Sequence, residues 1–493
     1  MRSKLLFILT IISVLFLSAL SYADEPRELS LTDAVEIAQK NAKVWTQYDA
    51  RMESAIYQKK VAQSHWWPVL TLSSTVMLWS DESKIEVIDK EKLDDAIDQS
   101  VDNALDTLGV SEQGKELIQN IVEPLRPTLN AFVQPISDLI PSSITLKDDF
   151  TFTFGATLMM PLTPLLKVYQ AQELAQVGID NVDAERRGKA LSIAYEVTDV
   201  YLKLVYAQLM CDVAEEALST LEAHVKLAQK YESVGMISHN DVLGAQVEQL
   251  KAKQKVVEAR NSTRLAGMKL AQVLSMGRGI ELRASNMPVE DFHITLEPLE
   301  AYQDRALRQR TELERVELGR EAAERKEKMA LLDYIPQIAL IGHYQYGYGL
   351  DILKPRNQAF IGLGMTWTIF DGLGHYYESK MSSLENAELT SKGEEARELI
   401  ELEVGQKYLA LQTAMERLEL SHQAADLAKE NLRTITAQFA QGESVSTDVL
   451  TAETRYAAAR ADAVKARIDI LIAYAELLLS LGESPTIDET ALR

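Results

Sequence analysis

The sequence has 493 residues, with 73 Asp and Glu against 51 Lys and Arg, and its formal net charge is −22. So acidic a chain is a poor candidate for binding nucleic acid, which depends on basic surfaces. Its single cysteine, Cys211, excludes an intrachain disulfide.

The N-terminus has the pattern of an export signal. Arg2 and Lys4 precede an apolar run from Leu5 to Leu20, and the following Ser-Tyr-Ala is typical of a cleavage site. We therefore expect residues 1–23 to be removed on export. No later segment has about 18 consecutive apolar residues, so the sequence predicts no membrane-spanning helix.

The first part of the mature chain changes from a helical to a strand pattern. A capping-box-like start at Ser30 predicts a helix that runs to about His65. Pro68 then opens a strand whose apolar face consists of Leu70, Leu72, Val76 and Leu78. A second alternating run covers residues 151–158, with Phe152, Phe154, Ala156 and Leu158 on one face. Both runs predict strands with a single apolar face.

From Leu165 to about Tyr231 the apolar period becomes that of a coiled-coil helix. The seam consists of Ile193, Val197, Val200, Leu204, Ala207, Cys211, Ala214, Leu218, Leu221, Val225 and Ala228. Because Cys211 lies on this seam, a packing role is favoured over a reactive one. A helix from Asp241 to Ser275 follows, and the stretch from Arg278 to Pro298 reads as an irregular connector.

The second half follows the same order. A helix is predicted from Thr295 to near Asp333, a strand opens at Pro336, and another strand covers Ala359 to Phe370. The apolar face of the latter consists of Ile361, Leu363, Met365, Trp367 and Ile369. A long helix comes next, and a last helix is predicted from Asp448 to Leu481.

Two similar stretches indicate an internal repeat. VGMISHNDVL contains Gly235 and Asp241, QGESVSTDVL contains Gly442 and Asp448, and both pairs are 207 residues apart. Each stretch predicts the tight turn of a helical hairpin, with a glycine where one helix ends and an acid in the first turn of the next. The same offset gives a second seam of Ile400, Val404, Lys407, Leu411, Ala414, Leu418, Ser421, Ala425, Ala428, Leu432 and Ile435.

The repeat predicts the domain organisation. The first repeat covers residues 24–294, the second covers 295–482 with its strand hairpin at 336–370, and a tail covers 483–493. Pro68 and Pro336 are 268 residues apart, which is 61 more than 207. The surplus lies between Ser80 and Asp148, a segment with 15 Asp and Glu and six Lys and Arg. We expect this insertion to be extracellular, because the strand before it would cross outward from the periplasm.

The strands have the length and the aromatic ends of membrane strands. Runs of about 10 to 12 residues span a bilayer when tilted. A two-ended aromatic girdle is predicted from Trp66, Trp67, Trp79, Tyr334, Tyr346, Tyr348, Trp367 and Phe370. The alternative is a soluble four-stranded sheet packed on helices. Four strands cannot close a membrane barrel, so several chains would have to combine. Two chains would give eight strands and a filled barrel, whereas three would give twelve and leave room for a lumen.

The start LSLTDAVEIAQKNA, the two Pro-led strand hairpins, the two tips and the duplicated order resemble the TolC-type outer membrane efflux protein family. The resemblance implies a mainly α fold with four transmembrane β-strands per chain, closed as a homotrimer into a twelve-stranded β-barrel and a long α-helical tunnel. It also implies a place in the outer membrane among its lipids. The implied partners are a periplasmic membrane-fusion adaptor and an inner-membrane pump of the RND or ABC type. The implied role is efflux or type I secretion of drugs, metals or proteins.

The resemblance also assigns a periplasmic gate. Asp448 matches the first of two gate carboxylates, whereas the second falls on Thr451. A basic residue that ties the closed mouth matches Ser444, and its usual partners match Asn240 and Asp241. The alternative is that Asp241 and Asp448 are only first-turn acids, and the two roles are compatible.

The tips are the expected docking site for the adaptor. The residues concerned are Gly235, Met236, Ser238, Gly442, Glu443 and Val445. His239 in the first tip is expected to be a solvated polar residue. The sequence has no HExxH, GxSxG or P-loop motif, so we expect no enzyme activity, no cofactor and no metal site. A passive exit duct is the leading hypothesis, and a soluble periplasmic coiled-coil scaffold is the alternative.

Overall fold

The computed structural model describes residues 27–81, 83–86, 143–147, 149–277, 280–285, 294–349 and 357–487, together with 92, 95, 96, 99, 100 and 103. The predicted export signal, most of the insertion at 80–148 and the end of the predicted tail lie outside the described residues. The chain divides into two units that are interleaved along the sequence. Unit 1 takes residues up to 60, 172–327 and 378 onward, and unit 2 takes 61–171 and 328–377.

The structure is mainly helical. The helices are α1 (Leu31–Asn41), α2 (Val44–Ser64), α3 (Leu165–Ser233), α4 (His239–Val273), α5 (Leu299–Gln309), α6 (Thr311–Leu331), α7 (Gly374–Gln441) and α8 (Ser446–Leu481). The strands are β1 (Arg27–Leu29), β2 (Val69–Leu78), β3 (Ser83–Glu86), β4 (Ser143–Lys147), β5 (Phe150–Pro161), β6 (Leu282–Ala284), β7 (Gln337–Tyr348) and β8 (Asn357–Thr366). Among the described helices, none is long and apolar enough to cross a membrane.

Two helices that the sequence predicts as continuous are each divided in two. The first breaks at Ala42 (φ −60°, ψ 121°) and the second at Arg310 (φ −66°, ψ 120°). The first break separates α1, whose apolar face is buried, from α2, which buries only Tyr48 and Ala55. At the second break, Arg310 donates to the carboxylate of Glu403 at 2.9 Å. Neither position carries Gly or Pro, so periodicity alone does not reveal the break.

The predicted connector at 278–298 is not wholly irregular. It contains β6, which pairs in parallel with β1. The fully buried Tyr201 of α3 donates a hydrogen bond of 3.0 Å to the carbonyl of Leu29 in β1. On the other side, α4 approaches β6 so closely that a Cβ on Gly267 would lie 2.5 Å from the Leu282 carbonyl oxygen. This contact fixes a glycine inside a helix, where it is otherwise unfavourable.

The first predicted seam is buried at its ends and half-buried in the middle. On α3, Val197 and Leu204 are fully buried, and so is Ala228, whereas Cys211 is half-buried. Burial raises the pKa of the Cys211 thiol, which disfavours the reactive thiolate. In the second seam the polar Lys407 forms an ion pair of 2.9 Å with Glu476 of α8.

Unit 2 contains a four-stranded antiparallel sheet in the order β2–β5–β7–β8. Its register aligns Leu70, Leu158, Gly342 and Ile361 across the four strands. The face they share carries the exposed apolar side chains Leu70, Leu72, Val76, Leu78, Leu158, Ile361, Leu363 and Met365. On the opposite face the Thr157 hydroxyl contacts His343 Nδ1 at 2.9 Å. The predicted alternation is therefore real, and its apolar face is exposed, as are both faces of β2.

The last strand ends earlier than the sequence predicts. Alternation extends to Phe370, whereas β8 ends at Thr366. The reason is its partner, since Thr366 pairs with Gln337, the first residue of β7. Beyond that point the indole of Trp367 donates to the carbonyl of Tyr334 at 3.1 Å.

Candidate functional site

The two predicted turns join pairs of long helices in unit 1. The first tip, residues 234–238, joins α3 to α4, and the second tip, residues 442–445, joins α7 to α8. Gly235 (φ 78°) and Gly442 (φ 77°) have left-handed backbone, as a glycine after a helix end permits. In both turns the following amide donates to a carbonyl five residues back, which is a Schellman motif. We call α3 with α4 the first hairpin and α7 with α8 the second.

The acids predicted for the gate cap the helices that follow the tips. Ser238 and Asp241 form a reciprocal capping box: the Asp241 amide donates to the Ser238 hydroxyl oxygen at 3.2 Å, and the Ser238 amide donates to the Asp241 carboxylate at 3.0 Å. In the second tip the Asp448 carboxylate accepts a hydrogen bond of 3.1 Å from the Ser444 hydroxyl. Thus Ser444 donates a hydrogen bond to the acid that the sequence predicts for the gate, within the same chain.

The two tips lie side by side. The Tyr231 hydroxyl, at the end of α3, donates to the carbonyl of Ala440 at 3.0 Å. A Cβ built on Gly442 would lie 3.8 Å from the terminal methyl of Met236. This side-chain hydrogen bond joins the hairpins at their ends, and the Met236 side chain lies beside Gly442.

An aromatic cluster behind the tips joins the same hairpins. Phe439 is 2% exposed, and its ring centroid lies 5.1 Å from that of His224 and 5.6 Å from that of Tyr231. His224 Nε2 contacts the hydroxyl of the buried Ser446 at 3.0 Å, and burial lowers the pKa of His224. Sequence reasoning missed this cluster, because its aromatic members come from two helices that are far apart in the sequence and have no common spacing. The only signal was an isolated Phe in an Ala-rich helix.

The remaining predicted tip residues are on the surface. Asn240, Glu443 and Thr451 are exposed, and the Thr451 hydroxyl donates to a carbonyl within α8 at 2.8 Å. Met236 and Val445 are 57% and 59% exposed. Within a single chain, the structure therefore brings Ser444 to Asp448 but leaves Asn240 and Asp241 on the other tip.

His239 follows the first tip and is exposed. Its Nδ1 atom contacts Glu232 Oε1 at 2.6 Å. The chemistry that the tips offer is therefore hydrogen bonding, carboxylate charge and a small exposed apolar surface.

The predicted girdle residues lie at the two ends of the sheet in unit 2. Trp79 follows the end of β2, and its indole donates to Thr151 at 3.0 Å, while Tyr346 and Tyr348 end β7. At the other end are Trp66, Trp67, Tyr334, Trp367 and Phe370, all of which are exposed. Each end of the sheet thus carries aromatic side chains.

The two tips and the small sheet together indicate the kind of protein to which the chain belongs. Each chain supplies two long helical hairpins with matched tips and a small antiparallel sheet whose apolar face is exposed. Such a sheet face matches lipid better than water.

The comparisons identify the family. The profile of the family described as outer membrane efflux protein matches residues 142–275 and 303–483, well over half of the chain. The chain therefore belongs to the outer membrane efflux protein family, which confirms the resemblance seen in the sequence. It is an outer membrane transport protein reaching into the periplasm, rather than an enzyme or a soluble scaffold.

Solved structures share the fold across nearly the whole chain. The outer membrane protein VceC of Vibrio cholerae has a TM-score of 0.64 and 16% identity, covering 92% of this chain and 96% of its own. The open state of the Neisseria gonorrhoeae MtrE outer membrane channel has a TM-score of 0.66 and 16% identity, covering 93% of this chain and 90% of its own. The Campylobacter jejuni CmeC outer membrane channel has a TM-score of 0.64 and 14% identity, covering 93% of this chain and 87% of its own. A comparison with curated protein sequences gave no significant match.

Proposed function

We propose that three copies of this chain form the passive exit duct of a tripartite efflux or type I secretion system. The observation that supports this most is the open sheet. In the described chain, β2 pairs only with β5 and β8 only with β7, so the sheet has two free edges. Free edges are not tolerated in lipid, and twelve strands from three chains would remove them.

The faces of the sheet support a membrane position. Ile361 is 82% and Leu363 is 71% exposed, and both lie on the apolar face. In the proposed barrel this face would contact the lipid, and the face with Thr157 and His343 would line the lumen. The aromatic side chains at the two ends of the sheet would form the girdle at the two interfaces.

The helices of unit 1 also present surfaces suited to a second copy. One exposed stripe on α4 consists of Leu243, Val247, Leu250, Val257, Leu265 and Met268. One on α7 consists of Leu399, Leu402, Leu409, Leu420 and Leu427. Each stripe keeps to one helix face at coiled-coil spacing. We propose that neighbouring copies cover these stripes, so that the helices close into a tunnel.

The duplication and the topology complete the proposal. Residues 24–294 and 295–482 would be two repeats of one unit, each with one helical hairpin and one pair of strands. The insertion at 80–148 would then be extracellular, because it joins the end of β2, which would lead away from the periplasm, to the start of the antiparallel β5, which would lead back.

The tips would form the periplasmic mouth and its docking surface. Threefold symmetry would bring three copies of Asp448 towards one axis. Carboxylates that lie so near one another attract cations. The exposed Met236 and Val445 would contact a periplasmic adaptor, which in turn would join an inner-membrane pump. Ser444 stands where a basic residue would form an ion pair with the positions of Asn240 and Asp241. Hydrogen bonds from Asn240, Ser444 and Ser446 would therefore hold the resting mouth in place of ion pairs, so closure should depend little on salt.

Cross-linking between sheet edges tests the proposal. In a Cys211→Ser background, Gly362→Cys on β8 would be combined in turn with cysteines replacing Thr71, Ser73 or Thr75 on β2. All four positions lie on the polar face, and a Cβ at Gly362 meets nothing within 4 Å. With a short bis-maleimide, we expect covalent dimers and trimers from outer membranes, at one register more than at the others.

The controls for the cross-linking are the variants with one new cysteine each, which should give monomers only. Monomers from every pair would contradict closure between chains. Recovery of the protein in the osmotic-shock fluid, rather than in outer membranes, would contradict the membrane position.

A further inference from the structure

A buried acid lies on α8, about two helical turns after the second tip. Glu453 is 3% exposed, and its Oε2 atom has no hydrogen-bond partner among the described residues. A carboxylate without a partner is costly to bury in its charged form. Because this burial occurs within one chain, assembly with further copies can only increase it.

Glu453 lies in the wall of a groove of about 650 Å³ in unit 1, between the first hairpin and α8. The apolar lining near it includes Val213, Ala217 and Leu221 of α3. The charged residues that α4 contributes to the groove are Glu248, Lys251, Lys255 and Glu258. Glu453 is thus one of the residues that line this open groove, although its Oε2 atom is buried.

Three other charged or titratable groups complete the surroundings. On α3, Glu216 repels a charged Glu453. On α8, the Tyr456 hydroxyl donates to Glu216 at 3.3 Å, and Arg460 lies 3.7 Å from the same carboxylate. Any attraction of the Arg460 guanidinium to Glu453 is therefore shared with Glu216.

These surroundings favour the neutral acid. Burial first, and repulsion by Glu216 second, raise the pKa of Glu453 from 4.5 to about 7. The packed hairpins therefore bind this proton more tightly than separated hairpins would, and their contact weakens as the pH rises from about 4.5 to about 7. His224 opposes this trend, because its lowered pKa makes the contact stronger as the pH rises towards 6.5. Above that value Glu453 alone governs the change.

We propose that Glu453 is a proton-operated latch between α8 and α3, which holds the second hairpin against the first while the carboxyl is protonated. When the carboxyl ionises, it draws water into the groove and loosens the second tip from the first. The consequence for transport, a mouth that opens more easily above neutral pH, rests on the proposed duct.

Hydrogen exchange of the purified native oligomer tests the latch. Peptides covering residues 446–460 would be followed from pH 5.5 to 8.5, with intrinsic exchange rates corrected. From pH 5.5 to 8.5, ionisation of Glu453 should raise the equilibrium constant for opening about thirtyfold. Deprotonation of His224 should lower the same constant by at most about tenfold. We therefore expect wild-type opening to rise about threefold or more. In Glu453→Gln only His224 remains, so opening should instead fall as the pH rises.

A second variant guards against a local packing defect. Glu216→Gln removes the repulsion, so opening should keep its upward trend but with a midpoint below that of the wild type. Opening that is independent of pH in the wild type, or that rises equally in Glu453→Gln, would overturn the latch. Exchange decides this whether or not the chain forms a pore, and failure of the duct is detected separately by the cross-linking.

Discussion

Replacing Phe439 tests how the two hairpins are held together at their tips. Phe439→Ala would remove a ring that is 2% exposed and contacts both His224 and Tyr231. Loss of a buried phenylalanine costs about 3–5 kcal/mol in lost burial and the cavity left behind. We expect this loss to appear as local opening of the tips, because the cluster lies at the end of the hairpins.

A milder variant supplies the comparison. Tyr231→Phe keeps the aromatic contact with Phe439 but removes the hydrogen bond of 3.0 Å to the Ala440 carbonyl. A hydrogen bond of this kind contributes about 0.5–1.5 kcal/mol. A free-energy change of 1–3 kcal/mol changes an equilibrium constant by about 5–150-fold. The equilibrium constant for tip opening should therefore rise about fivefold in Tyr231→Phe and more than about a hundredfold in Phe439→Ala.

Hydrogen exchange at constant pH measures both effects, using peptides that cover the two tips. Peptides from the middle of α7 serve as the internal control and should exchange as in the wild type. Equal exchange in Phe439→Ala and the wild type would refute the assignment of the cluster. A larger effect from Tyr231→Phe than from Phe439→Ala would refute the ranking of burial above the hydrogen bond.

Three further substitutions, two of them with a matched control, test other parts of the structure. Asp448→Asn, whose amide oxygen can still accept the hydrogen bond from Ser444, should reduce cation selectivity and block by multivalent cations in planar bilayers. Unchanged values would leave Asp448 as a first-turn acid only. Ile361→Arg places a charge on the proposed lipid face at a cost of about 2–4 kcal/mol and should reduce insertion into the outer membrane. The neighbouring Gly362→Arg, on the opposite face, should insert. Better insertion of Ile361→Arg than of Gly362→Arg would contradict the proposed assignment of the two sheet faces. Gly267→Ala should lower the thermal stability because its Cβ would meet the Leu282 carbonyl oxygen, whereas Gly178→Ala, with nothing within 4 Å of its Cβ, should raise it slightly.

Much of the fold follows from local sequence signals. The coiled-coil period of α3, the alternation in β2 and β8, and the glycines at the two tips each depend on residues close together in the chain. The capping acids were also predictable, since Ser238 and Asp241 have the spacing of a capping box. These signals needed no knowledge of tertiary contacts.

The features that the sequence did not reveal depend on distant residues. The break at Arg310 is stabilised by Glu403, which lies on another helix. Pairing of β1 with β6 joins two three-residue strands too short to show a period. Glu453 of α8 is buried in the wall of a groove that α3 and α4 also line, so its unusual environment has no signature in its own helix.

The proposal that three chains close one barrel is tested most directly by native mass measurement of the protein extracted from outer membranes in mild detergent. The free edges of β2 and β8 require closure between chains, and the proposed twelve strands predict a species with three times the mass of one chain. Dilution should leave this trimer intact, because each edge would be paired within the barrel. A stable monomer or dimer as the sole species would contradict closure of a twelve-stranded barrel.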